Sequence, residues 1–221
     1  MVLPWFMAAF SGYLLGSIPV ADVVARRAGI DLRAVGDRNP GYWNVKDQLG
    51  GRRALPVLLG DTAKGTLAGG TGLLLASDGL WGVKWMAVAG AMVGHGWPIF
   101  ARFRGGKSLL AFVGGMLVIT PIPAFIAVGL LAGVAAARTF ALGVRVGVFS
   151  FPAIELVFDS KERVAATGLL MCLIALRFVL GGAGNRRKPG FEARRLTRST
   201  TTFDPVVAVP SRRRRGARPP A

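Results

Sequence analysis

Apolar residues fall in blocks along this chain, and the blocks have the length of membrane-crossing helices. Residues 1–21 carry no charge before Asp22, Arg26 and Arg27 arrive. A cleaved secretory leader would place basic residues ahead of its apolar run, so the stretch reads as a retained first helix. A hydrocarbon core of about 30 Å takes roughly 20 helical residues. Further candidates lie at 55–76, 81–100, 146–158 and 164–180, several of them short or interrupted by polar residues. Residues 108–137 form an uncharged run broken by Thr120, Pro121, Ile122 and Pro123, which suits one kinked helix or two short ones.

Basic residues decide between those two. Cations near helix ends favour the cytoplasmic side, and successive crossings must alternate. The 26–53 connection holds Arg26, Arg27, Arg33, Arg38, Lys46, Arg52 and Arg53; the 102–107 turn holds Arg102, Arg104 and Lys107; the chain after residue 183 holds eleven Lys and Arg. All three should be cytoplasmic, which requires an even number of crossings between the second and the third. Splitting at Pro121 and Pro123 supplies four where an unbroken helix would give three. The expectation is an all-α, polytopic membrane bundle with seven transmembrane helices, its N-terminus outside and its C-terminus cytoplasmic. Residues 1–183 then form the membrane domain, and 184–221 a basic tail.

Composition agrees with that reading. Of 221 residues, 52% are hydrophobic and 18% charged, with a mean hydropathy of +0.48, too apolar for a disordered chain. Lys and Arg number 28 against 11 Asp and Glu, a net charge of +17, which points to anionic lipid or nucleic acid. The hydrophobicity favours lipid and a cell-membrane location, with no nucleic-acid partner expected. The tail, with four consecutive arginines at 212–215, should lack a packed core and be drawn to the anionic inner leaflet; RNA contact is the competing use of such a run. Cys172 and His95 are the only residues of their kinds, so no disulfide framework or transition-metal site is expected. Five glycine pairs spaced by four (12/16, 65/69, 90/94, 129/133, 143/147) would let helices approach closely.

Two cytoplasmic loops combine glycine, asparagine and cations: Gly36-Asp37-Arg38-Asn39-Pro40-Gly41-Tyr42-Trp43-Asn44-Val45-Lys46, and Arg102-Phe103-Arg104-Gly105-Gly106-Lys107. Glycines let backbone N–H groups converge on an anion, and the helix after Lys107 presents free donors at its positive end. Such loops suit phosphate, although a Gly-Gly-Lys at a helix start is also an ordinary cytoplasmic turn. Within the spans, Asp61 and Lys64 are three residues apart and can neutralise each other on one helix face. That pair would also suit a transporter, but no internal repeat accompanies it. His95, in Gly94-His95-Gly96-Trp97-Pro98, lies close in sequence to the second loop, where an imidazole can donate to an anion or take a proton.

In order and spacing these segments resemble the bacterial acyl-phosphate:glycerol-3-phosphate acyltransferase family of small, seven-helix membrane enzymes. The resemblance rests on Gly12-Tyr13-Leu14-Leu15-Gly16-Ser17-Ile18-Pro19, on Gly29-Ile30-Asp31-Leu32-Arg33 leading to Gly36, Asn39, Gly41 and Asn44-Val45, on Asp61 with Lys64-Gly65, and on Gly94-His95, Trp97-Pro98, Phe100, Phe103 and Gly105-Gly106-Lys107. It implies transfer of a fatty acyl group from acyl phosphate to glycerol 3-phosphate, giving lysophosphatidic acid for phospholipid synthesis, with no covalent acyl-enzyme and no cofactor or metal. Catalytic roles are expected for His95 and Asn39, and substrate binding for Gly41, Asn44, Lys64, Gly105, Gly106 and Lys107 at the matching positions, with Arg38, Lys46, Arg186 and Arg187 added as further substrate-binding residues from their charge. Several positions depart from the family pattern. Asp37 stands for a serine, Arg38 for a glycine, Tyr42-Trp43 for Ala-Thr, Asp47 for an arginine and Ser108 for a glycine; Ala141 lies near an expected serine, and no His-Arg-Glu-Asn block is recognisable at 185–192. A carboxylate in place of a phosphate-binding arginine reverses the local charge, so the expectation is a phosphate site shifted onto Arg38, Lys46, Lys107, Arg186 and Arg187. The alternative is a catalytically inactive scaffold or lipid-binding protein with the same bundle.

Overall fold

The computed structural model describes residues 2–185, whose regular elements are all helices, with no strand among them. The helices are α1 (Leu3–Gly16), α2 (Val20–Arg27), α3 (Tyr42–Leu49), α4 (Gly51–Leu75), α5 (Val83–Gly96), α6 (Leu109–Ile119), α7 (Pro121–Ala137), α8 (Phe140–Phe158) and α9 (Lys161–Asn185), with a 3-10 turn at Ile99–Ala101. The uncharged run at 108–137 is two helices. Thr120 takes a non-helical conformation that ends α6, and Pro121 starts α7 where its missing N–H costs nothing. The first apolar run is interrupted in a way its composition does not announce. The Ser17 hydroxyl bonds back to the Tyr13 carbonyl, α1 stops at Gly16, and Pro19, unable to continue the ladder, precedes the short helix α2. The connection at 26–53 likewise contains α3, which the hydrophobic pattern read as loop.

Neighbouring backbones fix the direction of each helix. Gly12 faces Ala87 and Gly16 faces Ala91, so α1 and α5 run parallel; Gly65 faces Ala111 and Gly69 faces Gly115, so α4 and α6 do too. Gly72 meets Lys84 while Asp61 meets His95, which sets α4 antiparallel to α5. Gly143 packs on Leu131 and Gly147 on Ala127, making α7 and α8 antiparallel. In α9, Thr167 and Arg177 meet Trp85 and Gly96 in the same order, so α9 runs with α5. The long helices α1, α4, α5, α6, α7, α8 and α9 therefore alternate in direction. Four of the five glycine pairs lie at these contacts, whereas Gly129 and Gly133 face open space. At Gly12, Gly65 and Gly114 an added Cβ would run into the backbone of the facing helix, the close approach that small residues permit in membranes.

A core of Trp85, Val88, Met92, Phe112, Met116 and Phe151 joins α5, α6 and α8. Its polar bridge runs from the Trp85 indole, which donates to the Thr167 hydroxyl (3.0 Å), to the hydroxyl's own bond to buried Glu155 (2.8 Å). Outward, Leu74 (89% exposed), Phe149 (76%) and Val157 (76%) present apolar surface, as a bundle solvated by lipid does. The stretches Leu3–Arg27 and Lys161–Gly181 are long and apolar enough to cross a membrane by themselves. The alternating directions gather both polar loops at one end. At the other, Lys84, Lys161 and Arg163 are matched by Asp78, Asp159 and Glu162, so the positive surplus belongs to the loop end.

Candidate active site

The first loop, between α2 and α3, is folded by its own polar groups. The buried Asn44 amide donates to the carbonyls of Leu32 (2.9 Å), Val35 (3.1 Å) and Asn39 (3.2 Å), drawing the loop onto α3. Gly36 has a positive φ of 56° and lies against the Asn44 side-chain oxygen, where a Cβ would collide. One Asp37 oxygen accepts the Asn39 backbone N–H at 3.1 Å, and Arg38 between them is left-handed (φ 58°). Arg33 grips Asp22 of α2 through both guanidinium branches (2.6 and 2.8 Å) and also donates to the Arg104 carbonyl. The hydrogen-bonded Asp22 carboxylate raises the Arg33 pKa further above its ordinary value, against the opposing effect of burial. That arginine therefore joins the two loops.

The second loop is pinned from three sides. The Gly106 N–H donates to the His95 carbonyl (3.0 Å) and the Gly105 N–H to the Gly96 carbonyl (3.2 Å). Arg177 of α9 donates to the carbonyls of Gly106 (3.0 Å) and Gly105 (2.8 Å), and its guanidinium lies 4.6 Å from the centre of the Trp97 ring. The Trp97 carbonyl accepts the Tyr13 hydroxyl at 3.0 Å. Ser108, left-handed at the start of α6, donates to the Met92 carbonyl at 2.6 Å. With its glycine carbonyls and amides occupied in this way, the loop presents Lys107. That side chain reaches Asp37 at 3.2 Å and lies 4.8 Å from the centre of the Phe178 ring.

Between the loops lies an open cleft of about 550 Å³. Arg33, Arg38, Asn39, Arg104, Lys107 and Arg177 line it with a single carboxylate, Asp37, and Phe103, Phe178 and Leu180 form an apolar wall. Beneath the second loop is a much smaller pocket, of about 20 Å³, lined by Ile18, Asp22, Lys64, His95, Gly105 and Gly106, among others. There Lys64 pairs with Asp61 at 2.9 Å and donates to the Ile18 carbonyl at 3.2 Å. His95 is 8% exposed, its Nδ1 lies 3.7 Å from Asp61, and that nitrogen has no hydrogen-bond partner. Such a cleft can neutralise phosphate groups at its surface, beside an apolar wall and above a buried imidazole.

The expected site residues separate into three groups. Arg38, Asn39, Gly105 and Lys107 meet in the cleft, and Lys64, His95 and Gly106 in the pocket below it. Gly41, Asn44 and Lys46 line neither. Asn44 serves the loop's carbonyls, and Lys46 lies over the rings of Trp43 (5.0 Å) and Phe140 (5.7 Å). The Gly105 and Gly106 amides, expected to bind an anion, are committed to backbone carbonyls. Arg186 and Arg187 lie outside the described residues. Arg33, Arg104 and Arg177 were not singled out as ligands. An arginine inside an otherwise apolar helix is the signal that identifies Arg177.

The bundle and its cleft define a polytopic helical membrane protein with a cationic cleft at its basic end. Residues 6–180 match the family model described as glycerol-3-phosphate acyltransferase, and the chain belongs to that family. Glycerol-3-phosphate acyltransferase 5 of Dehalococcoides mccartyi is 38% identical over 156 residues, covering 69% of this chain and 65% of that relative, just under two thirds of its length. Glycerol-3-phosphate acyltransferase 1 of the same species is 33% identical over 193 residues, 83% of this chain and 91% of the relative. Among solved structures, PlsY (YgiH), an integral membrane glycerol 3-phosphate acyltransferase in its glycerol 3-phosphate form, superposes with a TM-score of 0.72. It is 24% identical, with 90% of this chain and 96% of that one covered.

Proposed function

We propose that the protein transfers a fatty acyl group from acyl phosphate to a hydroxyl of glycerol 3-phosphate, releasing inorganic phosphate and lysophosphatidic acid. The family supports the acceptor and the acyl transfer; the acyl-phosphate donor and the residue roles are our reading. One observation carries it: two loops far apart in sequence supply Arg38 and Lys107 to the same cationic cleft, against an apolar wall. Two phosphate-bearing substrates repel each other, and convergent cations offset that repulsion while holding the hydroxyl near the carbonyl. The hydroxyl oxygen attacks the acyl carbonyl carbon, the carbon–oxygen bond to phosphate breaks, and phosphate departs with the electron pair. Lys107, Arg38 and Arg104 hold phosphate oxygens, and Asn39 orients the acceptor from the cleft rim. To His95 we assign orientation of the substrate or receipt of the hydroxyl proton, and to Lys64 the charge beside it. Lys46 and Asn44 act by holding the first loop. Gly41, Gly105 and Gly106 allow the close backbone turns on which the cations stand.

In the same reading the seven long helices are seven crossings, with the N-terminus outside and the basic end cytoplasmic, as the distribution of cations favours. The tail, including Arg186 and Arg187, adds positive charge at the anionic inner leaflet. The deciding experiment supplies purified protein in lipid with acyl phosphate and glycerol 3-phosphate, and follows phosphate release and lysophosphatidic acid together. Both products should appear in equal amounts, and Lys107→Ala should lower kcat/KM at least about tenfold, the scale of one lost charge-assisted contact. Absence of turnover with lipid still bound would return the inactive-scaffold reading.

A further inference from the structure

Asp37 is the only carboxylate among the described residues that line the cleft, at the position where the motif that this loop resembles has a serine. Both of its oxygens are engaged. Oδ2 lies 3.2 Å from the Lys107 ammonium and Oδ1 accepts the Asn39 backbone N–H at 3.1 Å. One planar anion thus bridges a cation of the second loop and a backbone donor of the first, as an oxyanion of a bound phosphate would. The loop shape supports this bridge, because left-handed Arg38 turns the Asn39 amide back toward the Asp37 side chain. The pair is open to water, with side-chain exposures of 29% for Lys107 and 41% for Asp37, so the bond is exchangeable.

We propose that Asp37 is an internal stand-in for phosphate, seated on Lys107 in the empty cleft and displaced whenever a phosphate-bearing substrate binds. The proposal rests on the phosphate reading of the cleft. Asp37 then sets phosphate affinity from the unfavourable side. An incoming phosphate must break the Lys107 contact and afterwards tolerate a carboxylate beside it, two penalties that a serine would not impose. A weakly bound or singly charged anion competes poorly for Lys107, whereas a phosphate dianion offers more charge and a second oxygen to Arg38 or Arg104.

The test compares the full-length protein with Asp37→Asn and Asp37→Ser, each also combined with Lys107→Ala. The readouts are the KM for glycerol 3-phosphate and acyl phosphate, and the Kd for inorganic phosphate by calorimetry in detergent. Both single variants should bind inorganic phosphate more tightly and lower the KM of at least one substrate, by roughly three- to tenfold. The gain should shrink at least severalfold in the Lys107→Ala background, because the part of it that comes from freeing that ammonium is lost and only the relieved carboxylate–phosphate repulsion remains. Unchanged or weaker phosphate binding in both folded Asp37 variants overturns the proposal, as does a gain that survives Lys107→Ala undiminished. If Lys107→Ala alone leaves phosphate binding and turnover untouched, the phosphate reading itself falls. If Lys107→Ala abolishes binding while the Asp37 variants gain nothing, only the stand-in role does.

Discussion

Removing the Arg177 guanidinium should disable the site without unfolding the bundle. The side chain donates two charge-assisted hydrogen bonds to the Gly105 and Gly106 carbonyls and stacks on Trp97, so it holds the turn that carries Lys107. A bond from a charged donor is worth about 1.5–3 kcal/mol and a cation–π contact about 0.5–2 kcal/mol. Arg177 is half-buried and water can reach the carbonyls it leaves, so the combined loss falls below the sum of even the lowest values, to about 2–3 kcal/mol. At 1.36 kcal/mol per tenfold this predicts a fall in kcat/KM of roughly 30- to 150-fold for Arg177→Ala. Arg177→Lys, which keeps the charge but not the planar fork, should fall in between. Phosphate release from purified protein in lipid measures the effect. Because Arg177 acts by positioning Lys107, its removal should add little in a Lys107→Ala background, whereas an independent contact with substrate would give multiplicative losses. An Arg177→Ala protein within threefold of the parent would refute the argument.

The hydrophobic pattern made the long helices legible because lipid imposes one rule on every segment that crosses it. The two prolines marked where the uncharged run could break, and the alternation demanded by the basic loops decided for two helices. The interruption after Gly16 escaped notice. Ser17 and Pro19 sit among apolar neighbours, and only the packing of α1 along α5 shows where the first helix must stop. The cleft was readable through Arg38, Asn39 and Lys107, residues whose chemistry is local to glycine-bearing turns. Side-chain direction was not. Asn44 and Lys46 lie on α3, and which of its faces meets the loop carbonyls or the Trp43 and Phe140 rings is decided by tertiary contacts. The charge of Arg177 in an apolar helix is visible in the sequence, but its role is not: its partners are backbone carbonyls 71 and 72 residues away, and carbonyls leave no mark in a sequence motif.

Gly65→Leu should destabilise the bundle by about 1–3 kcal/mol or more, because its Cβ would meet the Ala111 carbonyl and force α4 away from α6. Gly129→Leu, with nothing within 4 Å of the new Cβ, should stay within about 0.5 kcal/mol of the parent; equal losses in detergent denaturation would show that α4 and α6 do not pack through glycine. The buried pair of Asp61 and Lys64 permits a sharper distinction. Their side chains are 3% and 5% exposed and 2.9 Å apart. Asp61→Ala alone should strand the ammonium in a low-dielectric interior and cost about 3–5 kcal/mol, while Asp61→Leu with Lys64→Met should recover most of that stability. The double variant then separates two roles that the single one confuses. If Lys64 only balances Asp61, the double variant should both fold and turn over. If Lys64 also serves the substrate from the pocket it shares with His95 and Gly106, the double variant should fold as the parent does, yet lose at least about tenfold in kcat/KM. We expect the second result, since neutralising the pair apolarly keeps the packing but removes the charge beneath the loop. A folded double variant with parental turnover would withdraw Lys64 from the substrate-binding set and leave it a structural partner of Asp61.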